Sequence, residues 1–248
     1  MKFAIILLTL TLAGGAAVAD DLVGDRPDFT ESALAVAPGR VQIEAGATLE
    51  TNDLSDTWSV GEILVRYGLK PGTEFRLVLP SLIDIDFEDG GFEDFSGADN
   101  AALGLKQELA TGDGSSPQVA VLTHVTLPTG DEDVVAADTA WDLVLAAEWE
   151  LHERIGLGVN LGAELVFNDD TESQQWVSAA FGLGVTDRLG AFVEGYVFTD
   201  ELDEFTSAMD FGATYLVTAD LQLDVRVGFG LGDNEDQLYY GAGLVTRF

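Results

Sequence analysis

The feature that most constrains this chain is an alternation of apolar and polar residues with a period of two, which recurs from residue 40 to the C-terminus. Successive side chains of a β-strand point to opposite faces of a sheet, so this period predicts strands with one apolar face. From Trp141 to Leu151 every second residue is apolar, whereas Asp142, Glu148 and Glu150 lie on the other face. We predict twelve strands, at residues 40–50, 57–68, 73–82, 100–110, 118–127, 139–151, 155–167, 175–186, 190–199, 207–218, 221–231 and 238–248.

The connections between these strands alternate in length and charge. Short turns (69–72, 111–117, 152–154, 187–188 and 218–220) alternate with mostly longer acidic loops (51–56, 83–99, 128–138, 168–174, 200–206 and 232–237). Bacterial outer-membrane barrels have an even number of antiparallel strands, each of about 10 residues, with short turns at one end and longer loops at the other. We therefore predict an all-β fold over residues 40–248, a transmembrane antiparallel up-and-down β-barrel of about twelve strands.

The two ends of the chain favour export to the outer membrane of a Gram-negative bacterium. Lys2, the apolar residues 3–12 and the small residues ending at Ala19 have the order of a secretory signal peptide, so we expect cleavage near Ala19. An uncleaved N-terminal anchor is the alternative. In the last predicted strand, Tyr240 and the terminal Phe248 share one face. This pattern resembles the C-terminal signal that the barrel-assembly machinery recognises.

Residues 20–39 lack a strand pattern and contain Pro27 and Pro38. Terminal segments are poorly ordered unless other parts of the protein hold them. Two hypotheses stay open, a periplasmic tail and a plug that folds into the lumen.

The charge distribution is strongly asymmetric. The net charge is −33, and the six predicted loops hold 23 acidic residues and no Lys or Arg. Such a chain is not expected to bind nucleic acid, which requires basic residues against phosphates. The acidic mouth would favour cations, bind divalent ions that bridge to lipopolysaccharide, or serve only as a solvated rim in a salt-adapted bacterium. The absence of cysteine excludes a lipoprotein anchor, disulfides and thiolate metal sites.

Charged residues on the strands fall on the polar face, which we expect to line the lumen. A Lys or Arg facing lipid at the bilayer midplane would cost roughly 2–4 kcal/mol. These residues either set the selectivity of a narrow pore or close the lumen with salt bridges. The lumen and selectivity candidates are Glu44, Glu62, Arg66, Glu74, Arg76, Lys106, Glu108, Glu148, Glu164, Glu194, Asp224 and Arg226.

Trp141 and Trp149 lie on the apolar face, about 20 Å apart along a tilted strand. This spacing predicts that they belong to the two aromatic girdles of a membrane barrel.

The sequence offers little for catalysis. The only histidines are His124 and His152, and neither has a Ser at a spacing that suggests an activated nucleophile. The acidic run from Asp84 to Gly90 does not match an EF-hand loop. We expect no enzyme activity, no resident metal and no cofactor, with weak binding of divalent cations by the loops as the one alternative.

Six segments carry a family resemblance: Asp25–Ser32, Arg66–Leu69, Thr73–Leu77, Leu127–Gly130, Asp187–Gly190 with Glu194, and Leu221–Gly228. They resemble the outer-membrane transporter family labelled "putative meta-pathway of phenol degradation". The resemblance implies a transporter-like barrel for a small solute. The family's name implies an aromatic solute, whereas the acidic loops favour a cationic one. A structural or adhesive barrel with a closed lumen, in contact with lipid and lipopolysaccharide, is the alternative, and a soluble periplasmic β-protein is a third.

Overall fold

The structure is a computed structural model that describes residues 22–87, 93–113, 115–135, 138–167, 172–199, 205–232 and 236–248. The predicted signal peptide, residues 1–19, lies outside these residues. The described part contains fourteen strands. They are β1 (Val41–Thr51), β2 (Ser55–Lys70), β3 (Thr73–Leu79), β4 (Leu82–Phe87), β5 (Phe95–Ala98), β6 (Ala101–Ala110), β7 (Gln118–Leu127), β8 (Thr139–His152), β9 (Ile155–Phe167), β10 (Glu172–Gly184), β11 (Leu189–Thr199), β12 (Phe205–Thr218), β13 (Leu221–Leu231) and β14 (Leu238–Arg247).

Twelve of these strands close into an antiparallel barrel. The order is β1, β14, β13 and so on down to β6, then β3 and β2, and β2 pairs again with β1. This confirms the predicted fold class and the predicted number of barrel strands. The C-terminal strand closes the barrel, because Phe248 donates its N–H to the Val41 carbonyl at 2.8 Å. Tyr240 and Phe248 are exposed on the outer surface.

The prediction of a loop over residues 83–99 is wrong in part, because β4 and β5 extend the neighbouring strands beyond the barrel. β4 pairs with the first residues of β2 in the register that β3 keeps with the rest of β2. The break between β3 and β4 lies at Pro80, which has no N–H to donate to a ladder. The Ser81 N–H instead donates to Asp99 Oδ1 at 2.6 Å. Ile83, Ile85 and Phe87 alternate with acidic residues, so the period-two pattern of a strand is present in this stretch although it is acidic.

Burial in the barrel wall is the reverse of that in a soluble protein. On β8, Leu143 and Leu145 are exposed on the outside, whereas Val144 and Ala146 are buried inside. The largest buried side chains include Arg66, Arg76, Lys106, Glu44 and Glu74. An apolar exterior and a polar interior are typical of a barrel that has lipid outside. No helix in the described residues is long and apolar enough to cross a membrane.

The barrel has two distinct ends. The end where β1 begins, which also carries Phe248 and the short turns, is called the turn end. The opposite end is called the loop end. Residues 22–39, named the luminal segment, enter the barrel at the turn end. There the Gly39 N–H donates to the Gly68 carbonyl at 2.8 Å. A side chain at position 68 would collide with the Ala37 carbonyl, so glycine leaves room for this entry. Further along the segment, Ala33 and Val36 are buried.

Candidate functional site

The backbone of the luminal segment is held by carboxylates of the barrel wall. An irregular backbone buried away from water needs acceptors for its N–H groups, and inward glutamates of five strands supply them. Their donor–acceptor distances lie between 2.6 and 3.1 Å. The pairs are Asp25 and Arg26 with Glu44, Phe29 and Thr30 with Glu194, Ala33 with Glu148, Ala35 with Glu108, and Val36 with Glu74. The strands involved are β1, β3, β6, β8 and β11, so the segment passes around much of the inner wall.

A sixth strand, β9, contributes a side-chain amide to the same backbone. Asn160 on β9 accepts the Glu31 N–H at 2.7 Å and donates its own amide to the Glu31 carbonyl at 3.0 Å. Together these contacts give acceptors to the N–H groups of residues 25, 26, 29–31, 33, 35 and 36.

The Asp25 carboxylate is the centre of the largest ion cluster. It accepts hydrogen bonds from Arg76 Nη1 at 2.6 Å and from Lys106 Nζ at 3.1 Å. Arg66 Nη1 lies 3.1 Å away, and the Ser32 N–H donates to the same carboxylate at 3.0 Å. The three basic side chains are at most 1% exposed. Such a cluster is stable only if nearly every charge has a partner.

A second carboxylate of the segment joins this cluster from the loop end. Glu31 accepts two hydrogen bonds from Arg76 Nη2, at 2.9 and 3.0 Å. Arg76 Nε donates to His124 Nε2 at 2.9 Å, which leaves the Nδ1 hydrogen to face Asp142 at 3.0 Å. His124 therefore belongs to a hydrogen-bonded wall network.

Arg26 crosses the seam between β14 and β1. Its Nη1 donates to Glu62 at 2.7 Å, and its Nη2 lies 3.4 Å from Asp224. Gly46 and Gly243 lie opposite one another in the ladder, and a side chain at either would collide with this guanidinium. The wall is thus shaped to admit Arg26.

The tip of the segment packs on β10 and β11. The Phe29 ring lies 4.9 Å from the Tyr196 ring and 5.2 Å from the Phe198 ring, and it meets Trp176 edge-on at 6.3 Å. The Thr30 hydroxyl contacts both Ser178 and Glu194. Aromatic packing and charge-assisted hydrogen bonds therefore hold the same two residues.

Asp210 stands beside this anchor without a comparable set of donors. It lies directly opposite Glu194 in the β11–β12 ladder and is fully buried. Within the described part of the chain, neither of its carboxylate oxygens receives a hydrogen bond. A buried polar group in this situation is costly.

Two cavities flank the luminal segment. The one at the turn end has a volume of about 920 Å³ and includes Leu22, Glu148 and Gln222 in its lining. The one toward the loop end has a volume of about 320 Å³, and Trp176 and Arg226 contribute to its wall. Residues 26–28 line both cavities, so this short stretch separates them.

The sequence-predicted lumen residues divide into three groups. Most contact the luminal segment directly, as described above. Glu164 lies half-buried opposite Asp142, and the Arg226 guanidinium lies 5.4 Å from the centre of the Tyr239 ring. The members that contact the segment are Glu44, Glu62, Arg66, Glu74, Arg76, Lys106, Glu108, Glu148, Glu194 and Asp224.

Sequence reasoning missed the partners that the segment itself provides. Three pairs of opposite charge lie two residues apart in the sequence: Glu74 with Arg76, Lys106 with Glu108, and Asp224 with Arg226. The Arg76 guanidinium does contact Glu74 at 3.0 Å, whereas Lys106 binds Asp25 and Asp224 meets Arg26. The available signal was the density of charge between residues 25 and 31 in a stretch without any strand pattern.

Outside the lumen, Trp141 is exposed and donates its indole N–H to Thr123 at 2.6 Å, while Trp149 is half-buried.

Two acidic residues lie outside the barrel strands and have shifted pKa values. Hydrogen bonds from Ser115 and Ser116 lower the pKa of Asp113 in the turn after β6. Burial raises the pKa of Asp99.

The acidic loops are described only in part. No group of His, Asp and Glu in the described residues has the arrangement of a metal site. The loop acids outside the described residues are Glu88, Asp89, Asp169, Asp170, Asp200, Glu201, Asp203, Glu204, Asp233 and Glu235.

Solved structures with the same fold are outer-membrane barrels. An outer membrane channel from Pseudomonas putida F1 superposes with a TM-score of 0.71 at 14% identity, covering 91% of this chain and 100% of that one. The NanC porin has a TM-score of 0.58 at 8% identity, over 82% and 98% of the two chains. The KdgM porin, solved with disordered oligogalacturonate, has a TM-score of 0.52 at 10% identity, over 83% and 99%. At these identities the likeness concerns the fold.

No curated protein sequence matches the chain. One protein family does, over residues 24–248, a range that includes most of the luminal segment as well as the barrel. The chain therefore belongs to the family described as "Putative MetA-pathway of phenol degradation".

Proposed function

We propose that the protein is an outer-membrane channel for a small solute, with the luminal segment as its constriction. The observation that carries this proposal is the pair of cavities, about 920 and 320 Å³, that meet at residues 26–28. A solute crossing the barrel would have to pass this stretch. The barrel fold, shared with a channel and with porins, supports the same function.

The proposed channel prefers cations. Asp28 lines both cavities, and Asp25, Glu31 and Glu62 line the one toward the loop end. The acidic loops add negative potential at one mouth. A cation would therefore meet favourable potential both at the entrance and at the constriction.

The proposed orientation follows from chain export. After cleavage near Ala19, the turn end would face the periplasm and the acidic loop end the exterior, where divalent ions could bridge it to lipopolysaccharide. Trp141 and Trp149 would lie at the two membrane interfaces. Tyr240 and Phe248 would be read by the barrel-assembly machinery.

A structural barrel with a closed lumen is the second candidate. The dense hydrogen bonding of the luminal segment favours it, because a segment held at so many points can serve as a permanent plug. In both proposals the protein has no catalytic role, and His124 acts as a wall residue.

Single-channel recording in planar bilayers tests the proposal. We expect a small, cation-preferring conductance for the wild type, and a larger one for a variant that lacks residues 22–36. Heat-modifiable migration on gels is the control that both barrels are folded. A folded wild type without conductance, together with a conducting deletion variant, would favour the closed structural barrel.

A further inference from the structure

We propose that Arg66, Arg76 and Lys106 form a binding site for a small carboxylate, and that the Asp25 and Glu31 carboxylates of the luminal segment occupy and mask it. By masking these three wall cations, the two carboxylates keep the cavity toward the loop end, of about 320 Å³, selective for cations. The inference deepens the proposed channel function and rests on it.

The wall leaves this cation cluster short of negative charge. Arg66 and Arg76 are directly opposite in the β2–β3 ladder, and Lys106 is opposite Glu74 in the β3–β6 ladder. Among the residues that the structure describes, Glu44 and Glu74 are the wall carboxylates within salt-bridge distance of these three cations. Three positive charges therefore share two wall carboxylates, and the cluster carries a net charge of about +1 before the segment is counted.

The segment supplies the missing charge from the side of the cavity. Asp25 and Glu31 line the 320 Å³ cavity, whereas the three cations are absent from its lining. The Glu31 side chain is 25% exposed, and the cations beneath are at most 1% exposed. Removing these two carboxylates would expose the cations to a space that a solute can occupy.

The contacts of Asp25 define the chemistry of the ligand. Its carboxylate meets two guanidinium groups, one ammonium group and the backbone N–H of Ser32. Guanidinium groups recognise planar oxyanions through charge-assisted hydrogen bonds. The site fits a monocarboxylate of the size of formate or acetate, and Asp25 is its covalently attached equivalent.

Ion selectivity provides the first test. Reversal potentials are measured for the wild type, Glu31→Gln, Asp25→Asn and the double variant. Asp113→Asn, in an exposed turn, is the control with the same charge change as each single variant. We expect stepwise shifts toward anions, about tenfold in permeability ratio for the double variant, which corresponds to about 1.4 kcal/mol. The control should match the wild type. Conducting variants with unchanged selectivity would overturn the inference while leaving the channel function intact.

Anion binding provides a second test that needs no conductance. In Asp25→Gly, sodium formate or acetate should raise the temperature of the heat-modifiable gel shift relative to sodium chloride, and the wild type should not respond. Adding Lys106→Met should weaken the response. If Asp25→Gly does not fold, Glu31→Ala, which keeps the Asp25 contacts, is measured in the same way. Equal temperatures in carboxylate and chloride salts for a folded variant would overturn the proposed site.

Discussion

At the scale of single residues, Glu194 and Asp210 face each other on neighbouring strands but differ in the hydrogen bonds that their carboxylates accept. Glu194 accepts the N–H groups of Phe29 and Thr30, at 2.6 and 2.7 Å. Replacing it with alanine leaves both N–H groups buried without an acceptor, at a cost of roughly 1–3 kcal/mol for each group. We expect Glu194→Ala to lower the free energy of unfolding accordingly, as measured by urea titration in lipid vesicles.

Asp210→Asn is the contrasting variant. The buried carboxylate of Asp210 receives no hydrogen bond within the described residues and lies beside a second carboxylate. An asparagine amide removes the like charge and can donate to Glu194, and a hydrogen bond to a charged group contributes roughly 1.5–3 kcal/mol. We expect the same titration to show equal or greater stability for Asp210→Asn. A loss as large as that of Glu194→Ala would mean that Asp210 has a partner of its own.

At the scale of elements, the β4–β5 hairpin lies outside the closed barrel. Ser81 and Asp99 exchange hydrogen bonds at its base, so joining them directly would link β3 to β6 through a four-residue connection. We expect this deletion of residues 82–98 to leave a folded, heat-modifiable barrel, because the ladders that close the barrel are untouched. The variant Asp84→Asn with Asp86→Asn is the control that removes charge and keeps the strands. An unfolded deletion variant would show that β2 requires β4 as a partner.

The elements that could be predicted from sequence are those with an uninterrupted period of two. The bounds of β7 and β13 agree with the prediction at both ends, since each strand alternates along its whole length. β4 was missed because Asp84 and Asp86 belong to a strongly acidic stretch that was assigned to a loop, although they alternate with Ile83, Ile85 and Phe87. The inward position of the lumen candidates followed from parity alone. The contact of Lys106 with Asp25 did not, because it joins residues far apart in sequence and one of them lies in an irregular segment.

At the scale of the whole molecule, negative charge occupies two environments that salt affects differently. The loop acids are at the rim, where Glu132, Asp133 and Asp53 are exposed. Asp25 is buried within the lumen. The screening length is about 10 Å at 0.1 M salt and about 3 Å at 1 M, so exposed charges lose their influence at high salt and buried charges keep more of it.

This difference predicts how cation preference depends on salt. We expect the permeability ratio of the wild type to fall between 0.1 and 1 M KCl but to stay in favour of cations, because the charges at the constriction persist. Removing three of the rim charges with Asp53→Asn, Glu132→Gln and Asp133→Asn should lower the permeability ratio at low salt and leave its high-salt value unchanged. Reversal potentials at both concentrations measure this. If 1 M salt abolished the preference in the wild type, the rim would account for all of it and the luminal segment would contribute none.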